Sequence, residues 1–496
     1  MTSPVTIRRF MTGVPGLDNV LGGGVPEFSF NLIAGQPGCG KTTLAHHMMF
    51  ALATPEQPAL YLTVRGEPPL KMLRYQQQFE FFKNEALESS VRFVNLSDDD
   101  DTGDLAAMLS GITTAVTTHK PAFVFIDSFR AATLPPQGED RSKMGLQQFV
   151  QQLGLLLPSI QATTFLIGEY ASDAEANPVF TVADGLIWLR QSVQRNSMVR
   201  KLEVVKMRGQ PTLAGLHSFR INPRGIEVFA APGKGPNDKT EHGAPLVGRM
   251  LMGTAQLDDM LGGGLPRGYS LLIAGPSGSG KSILAAAFLA EGARCGETGV
   301  VAAFEQHPSR SRNRVLADLI ANGSVGLVDT REPDISIDEI LVLILREIRR
   351  LKATRVVIDS LSGFELALAP TFREDFRESL SQLVLALSTT GVTVLMTSEL
   401  EDRYTDLRFS PYGTAFLTDA IIVQRYVEVE SRLLRVMAVV KVRASAHSDE
   451  LRQFHIDDGG ICIDDPFTDR EGLLGGRPSR TVSPESVGAV AALARD

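Results

Sequence analysis

The chain has 496 residues, 43% of them hydrophobic and 21% charged, which is too long for one ordinary core and too apolar for a disordered or fibrous chain. Its formal net charge of −8 excludes a global positive field, so neither nucleic acid nor an anionic membrane is expected as a partner. Cys39, Cys295 and Cys462 form no CxxC pair, no zinc site can be read from their spacing, and no signal sequence or membrane-length apolar run is found, so a soluble protein of the reducing cytoplasm is expected.

Reading from the amino terminus, GVPGLDNVLGGGVPEFSFNLIAGQPGCGKTTLA (Gly13 to Ala45) returns without a gap 240 residues later as GTAQLDDMLGGGLPRGYSLLIAGPSGSGKSILA (Gly253 to Ala285). A likeness of that length signals duplication of a whole domain. After the first segment come a helical run, LAHHMMFALA, and a strand, ALYLTV, followed by Glu67. The acidic run Asp98 to Asp101 reads as a solvated loop. FVFIDS (Phe123 to Ser128), the helix GLQQFVQQLGLLL, the strands TFLIG and LIWLR, and VVKMR (Val204 to Arg208) complete the first copy. Residues 231–247, rich in Gly, Pro and polar side chains, read as a linker. The second copy brings VVAAF before Glu305, VVIDS (Val356 to Ser360) and VVKVR (Val439 to Arg443) in the same order, and residues 466–496 read as a flexible tail. Short apolar runs alternating with helical periods imply βαβ units around a mostly parallel sheet, so the fold class is α/β, twice.

Gly35-Gln-Pro-Gly-Cys-Gly40-Lys41-Thr42 and Gly275-Pro-Ser-Gly-Ser-Gly280-Lys281-Ser282 both match GxxxxGK[ST] between a strand and a helix. Gly35, Gly38, Gly40, Gly275, Gly278 and Gly280 let backbone N–H groups close around phosphate oxygens at a helix amino terminus, where Thr43 also lies. Lys41 and Lys281 are expected to reach the β- and γ-phosphates, and the Thr42 and Ser282 hydroxyls to ligate Mg²⁺. Asp127 and Asp359 end buried strands, where an acid can hold Mg²⁺ through its water shell; the alternative is an aspartate that caps the next turn. Glu67 and Glu305, each after the strand that follows the phosphate-loop helix, are candidates for activating water, against the alternative of ordinary surface glutamates. A period of two sends Lys206 with Arg208, and Lys441 with Arg443, to one face of their strands. Such a basic prong is either a solvated edge or a group that reaches a neighbouring subunit's γ-phosphate. Cys39 within the first loop reads as an inert small residue, and His46 and His47 are given no role.

Both phosphate loops, the TGVPGLDNVLGGG and MGTAQLDDMLGGG lead-ins, FEQHP (Phe304 to Pro308) and TDAIIVQRYVEVESRLLRVMAVVKVRASAHS (Thr418 to Ser448) together resemble the KaiC-like family of ATPases, over nearly the whole chain. The resemblance implies two tandem RecA-like P-loop NTPase domains, 1–230 and 248–465. It also implies Mg²⁺-dependent ATP hydrolysis in a homohexameric ring with ATP between subunits, Lys206, Arg208, Lys441 and Arg443 acting in trans, and a signalling or timing role read by regulatory proteins. Serine/threonine autokinase activity belongs to the family, but the phosphoacceptor pair is replaced here by Ala415 and Phe416, leaving Thr414 and Thr418 beside the spot. The family's paired glutamates are Glu305-Gln306 in the second copy and Arg65-Gly66-Glu67 in the first. The other classes weighed are a recombinase- or helicase-type motor driven by single-stranded DNA and a nucleotide-gated scaffold with little turnover.

Overall fold

The computed structural model describes residues 7–63, 69–96, 105–127, 141–170, 177–194, 197–230, 247–304, 314–328, 330, 334–368, 373, 376–400, 417–466, 470–471 and 479–480. It divides into two compact units, Met1–Lys239 and Thr240–Asp496.

The main sheet of the first unit comprises β1 (Phe30–Gly35), β2 (Ala59–Thr63), β3 (Val91–Asn95), β4 (Phe123–Asp127), β5 (Thr163–Glu169), β6 (Gly185–Gln194), β7 (Ser197–Met207), β8 (His217–Asn222) and β9 (Gly225–Phe229). That of the second comprises β10 (Ser270–Gly275), β11 (Gly299–Ala303), β12 (Val325–Val328), β13 (Arg355–Asp359), β14 (Thr393–Glu399), β15 (Ala420–Val429), β16 (Arg432–Val442), β17 (Arg452–Asp457) and β18 (Gly460–Pro466). Their orders are β3-β2-β4-β5-β1-β6-β7-β8-β9 and β12-β11-β13-β14-β10-β15-β16-β17-β18, the same sequence of positions. The first six strands of each order are parallel and the last three are added antiparallel. The expected α/β class, in two copies, is what the chain adopts.

The parallel strands are apolar without alternation because each face of the sheet carries its own core. In β4, Phe123 and Phe125 enter one cluster and Val124 and Ile126 the other; in β10, Leu272 and Ala274 oppose Leu271 and Ile273 in the same way. The repeated LD…LGGG lead-in has a structural cause. Asp18 and Asp258 accept the Thr12 and Met252 amides at 2.9 and 2.7 Å, and their own carbonyls accept Gly23 and Gly263 at 2.8 Å each. This turn sets the chain on course for the strand before each phosphate loop.

The expected strands FVFID, TFLIG and LIWLR lie in β4, β5 and β6, LYLTV lies in β2 as far as Thr63 with Val64 outside the described residues, and GLQQFVQQLGLLL lies in the helix Arg141–Ser159. Asp98 to Asp101 and the linker up to residue 246 lie outside the described residues. Within the segment read as a tail, Arg470–Glu471 pairs antiparallel with Ser479–Arg480, a short ladder the composition did not suggest. Among the described residues no helix is long and apolar enough to cross a membrane.

Candidate active site

Each phosphate loop sits at the carboxyl end of the central strand of its sheet. Gly40 and Gly280 have φ of 107° and 100° and open the helices Lys41–Leu52 and Lys281–Arg294, whose amino termini no described side chain caps. The positive φ is what calls for glycine, and a Cβ on Gly40 or Gly280 would in addition have to displace the tip of Ile221 or Ile456, each 2.8 Å away. The two helix amino termini therefore present amides and partial positive charge to an anion, with Thr42, Thr43 and Ser282 in the first turn.

The lysines are folded back onto their loops. Lys41 Nζ donates to the Gln36 carbonyl at 2.9 Å and lies 4.0 Å from Glu169, while Lys281 Nζ donates to the carbonyls of Gly275 and Pro276 at 2.9 and 2.8 Å. These are bonds that a triphosphate's oxygens can replace. Glu169 and Glu399 pair in register with Gly35 and Gly275, at the first residue of each loop. Neither glutamate was singled out from the sequence, although TFLIGE and VLMTSE both end in an acid.

Asp127 and Asp359 end β4 and β13 as expected. Asp127 Oδ2 accepts from the Thr42 hydroxyl at 2.9 Å and from the Tyr61 phenol at 2.7 Å. Burial pushes its pKa up, against the two hydrogen bonds and Lys41, which pull it down. The same burial, with Asp127 adjacent, drives the Tyr61 phenol well above its usual value, so it stays a donor. Thr42 and Asp127 thus offer a hydroxyl and a carboxylate in contact, a hard oxygen pair of the kind Mg²⁺ takes either directly or through water. In the second copy Asp359 Oδ1 accepts from the Thr397 hydroxyl at 2.5 Å, and Ser282 is exposed. Tyr61 and Thr397 were not found in the sequence, where each reads as one residue of a buried strand.

Glu67 and Glu305 both lie outside the described residues, as do Thr414, Ala415 and Phe416. Thr418 is fully buried, so its hydroxyl is shielded from a phosphate donor. Cys39 is also fully buried and its thiol pKa is raised by desolvation first, consistent with an inert residue. His46 and His47 are core residues with pKa values lowered to about 4 by burial.

The basic pairs lie elsewhere. Lys206 and Arg208 flank the buried Met207, and Lys441 and Arg443 the buried Val442, as the period of two requires. A bulge in each copy, between the partners of Leu186/Ile187 and of Ile421/Ile422, leaves Val205 or Val440 extra and turns the lysine that follows. Lys206 Nζ reaches the Thr181 carbonyl at 3.4 Å and Lys441 Nζ the Thr418 carbonyl at 2.6 Å. Arg208 meets Asp184, and Arg443 meets Asp419, both at 3.1 Å. The other oxygen of each aspartate accepts the first amide of β1 or β10, from Phe30 or Ser270, at 3.0 Å. Each pair is therefore at the amino end of the strand whose carboxyl end holds its own loop, about 17 Å away over five residue steps. No side chain spans that distance. Lysine pKa values are lowered here, by desolvation first and by the adjacent arginine second.

A cleft of about 310 Å³ opens beside the first loop, lined by Gln36, Trp188, Leu189, Arg190, Lys201 and Leu216 among others. Its size and mixed lining suit part of a nucleotide.

A family model described as "ATPase: KaiC" matches the chain twice, over residues 10–233 and 251–467. The chain belongs to the KaiC ATPase family. Curated relatives agree along the whole length. The circadian clock oscillator protein KaiC of Rippkaea orientalis is 26% identical over 493 residues, 97% of this chain and 93% of that one. The KaiC of a Picosynechococcus species is 25% identical over 97% of this chain and 94% of its own, and KaiC 1 of a Synechocystis species 25% over 96% and 92%. The repeated sheet order, the paired phosphate loops and the strand-end aspartates are thus two copies of one KaiC ATPase domain, of RecA-like architecture.

Proposed function

We propose that this KaiC-family protein binds and hydrolyses ATP at two sites per chain, in a homohexameric ring whose state is read by regulatory proteins. The domains are taken as 1–230 and 248–465, joined by 231–247 and followed by the tail 466–496. The observation that carries the reading is the position of Lys206/Arg208 and Lys441/Arg443, too far from their own loops to serve them and duplicated in both copies. A cation in that position is useful when a neighbour's triphosphate faces it, and an arginine supplied in trans is worth about 10³ to 10⁵ in rate.

On binding, the triphosphate would draw Lys41 and Lys281 off the loop carbonyls they now hold, and the helix amides would take phosphate oxygens. Thr42 with Asp127, and Ser282 with Asp359, would hold Mg²⁺, whose contribution is to neutralise charge on the β- and γ-oxygens. Glu67 and Glu305 are proposed to orient the attacking water, with Glu169 and Glu399 beside the loop to sense the terminal phosphate. The clock role named for the relatives suggests signalling or timing here. Autokinase activity is left to Thr414, since the Thr418 hydroxyl is buried.

The test is incubation of the full chain with γ-labelled ATP and Mg²⁺, following released phosphate and label kept on the polypeptide. Lys41→Ala and Lys281→Ala are each expected to silence nucleotide binding in one copy, and the double variant to release no phosphate. Unchanged phosphate release from the double variant would overturn the assignment, and release stimulated by single-stranded DNA would move it to the motor class.

A further inference from the structure

Beyond the two phosphate sites, the outer hairpin of the second sheet carries donors of three chemical kinds on one face. In β17 and β18, Phe454, Ile456, Ile461 and Ile463 turn inward, and the Ile456 and Ile461 side chains back onto Gly280 of the phosphate loop. The alternation sends His455, Asp457, Cys462 and Asp464 outward. His455 and Cys462 are directly paired across the ladder. One ligand atom each from His455, Asp457 and Cys462 lies within 4.8 Å of the other two. Cys462 Sγ is 3.4 Å from Asp457 Oδ2, and His455 Nδ1 is 3.4 Å from Asp464 Oδ1. Two ligands of a tetrahedral zinc, one sulfur at 2.3 Å and one oxygen at 2.0 Å, stand about 3.5 Å apart. The sulfur–oxygen spacing is already that of a bound pair, and small side-chain rotations bring in the imidazole.

We propose that His455, Asp457 and Cys462 form a binding site for a thiophilic divalent cation, Zn²⁺ first among them, with Asp464 as the outer carboxylate that orients His455. Asp457 keeps its turn bond, in which Oδ1 accepts the Gly459 amide at 2.8 Å, and gives Oδ2 to the ion. Asp464 beside Nδ1 leaves the other ring nitrogen to coordinate, the arrangement common to metal-bound histidines. On binding, the Cys462 thiol proton passes to solvent and the thiolate joins the ion; no electron is transferred. A fourth position stays open to water.

The duplicated domain supplies an internal comparison. By ladder register, the positions of His455, Asp457, Cys462 and Asp464 are held in the first copy by Arg220, Asn222, Glu227 and Phe229. Arg220 offers no lone pair and Phe229 no polar atom, so the same hairpin there cannot hold such an ion. The donor set belongs to the second copy alone, on the strands that wall its phosphate loop. Sequence spacing does not reveal the site, because two ligands come from one strand and the third from the next, and they meet only through the register.

The experiment is a Co²⁺ titration of the full-length, tag-free, reduced protein, read by thiolate-to-cobalt charge-transfer absorption, followed by displacement with Zn²⁺. Mg²⁺ in excess is expected not to compete, which separates this site from the phosphate sites. Cys462→Ser should abolish the absorption and Cys295→Ser should leave it intact. His455→Ala should weaken Zn²⁺ by more than about 100-fold, and Asp464→Asn by about 10- to 100-fold, the usual cost of an outer partner. His455, Cys462 and Asp464 lie on the outward face of the hairpin and Cys295 is exposed at the end of the helix Lys281–Arg294, and an unchanged far-UV spectrum checks that each variant folds. Absence of the band in the wild type, or its survival in Cys462→Ser, would overturn the proposal.

Discussion

If Arg443 serves a neighbour's site, two differently crippled proteins should repair each other. Lys281→Ala leaves a subunit with a disabled second phosphate loop and an intact Arg443, and Arg443→Ala leaves the reverse. Within one chain Arg443 is bound to Asp419, whose other oxygen holds the first amide of β10. The loop follows the last residue of that strand, about 17 Å further on, so neither variant can repair its own site. Homogeneous rings of either variant are expected to lose about 10³-fold or more of second-copy hydrolysis. In rings drawn at random from an equal mixture, half the loops are intact and half of those face an intact arginine, so about one quarter of the wild-type second-copy rate should return, whatever the number of subunits in a closed ring. The assay is steady-state phosphate release after dissociation and reassembly, with the first-copy rate, taken from the Lys281→Ala/Arg443→Ala double variant, subtracted. No recovery in assemblies shown by mass to be mixed would refute the trans arrangement, as would wild-type hydrolysis by Arg443→Ala alone.

Acid should act in opposite directions on the helix that carries His46 and His47 and on the one that carries Asp258. His46 and His47 have pKa values lowered to about 4 from an ordinary 6.5, so the stability they contribute, full above pH 6.5, is lost as pH falls towards 4, at most about 3 kcal/mol each. Asp258 is raised to about 6, chiefly by burial, so its contribution is full below its ordinary value and is lost as pH rises through 6. Between pH 6.5 and 4.5, amide protection, taken relative to the intrinsic exchange rate at each pH, should therefore fall in the helix Lys41–Leu52 and rise in Ala255–Met260; a parallel change in the protection of the two would contradict the burial argument. Tyr61→Phe removes a 2.7 Å bond to a buried carboxylate and should destabilise the first unit by about 1.5–3 kcal/mol. A urea midpoint unmoved at constant slope would show that Asp127 does not depend on it.

The parts of the site that the sequence discloses are those made by consecutive residues. A phosphate loop is one stretch of backbone, a strand-end aspartate follows three or four apolar residues, and Lys206 and Arg208 are two residues apart at the end of one strand, so periodicity and spacing suffice. Tyr61, Thr397, Glu169 and Glu399 escape because their meaning depends on which strand lies beside which. Tyr61 meets Asp127 only because β2 pairs with β4, and Glu169 meets the loop only because β5 pairs with β1. The bulges at Val205 and Val440 escape for the same reason, since an extra residue exists only relative to a partner strand. Strand order is a long-range property, and a list of local apolar runs does not contain it.

Among the described residues, the differences between the copies are found chiefly behind the loops. Both keep the glycines, the lysine, the strand-end aspartate and the basic pair. Behind the first loop, Cys39 lies close to the Leu189 stretch of β6; behind the second, the Ser279 hydroxyl donates to the buried Gln424 at 2.9 Å. Asp127 has a phenol and a threonine of its own loop, whereas Asp359 has a threonine from β14. Apart from Thr42, which belongs to the loop itself, these supporting groups stand behind the loops. They change how readily each aspartate bears its charge, because a buried carboxylate's pKa is a balance of desolvation against the donors that face it. If both copies hydrolyse ATP as proposed above, Tyr61 beside Asp127 and Thr397 beside Asp359 are the groups by which the hold on the cation, and so the two rates, would be set apart.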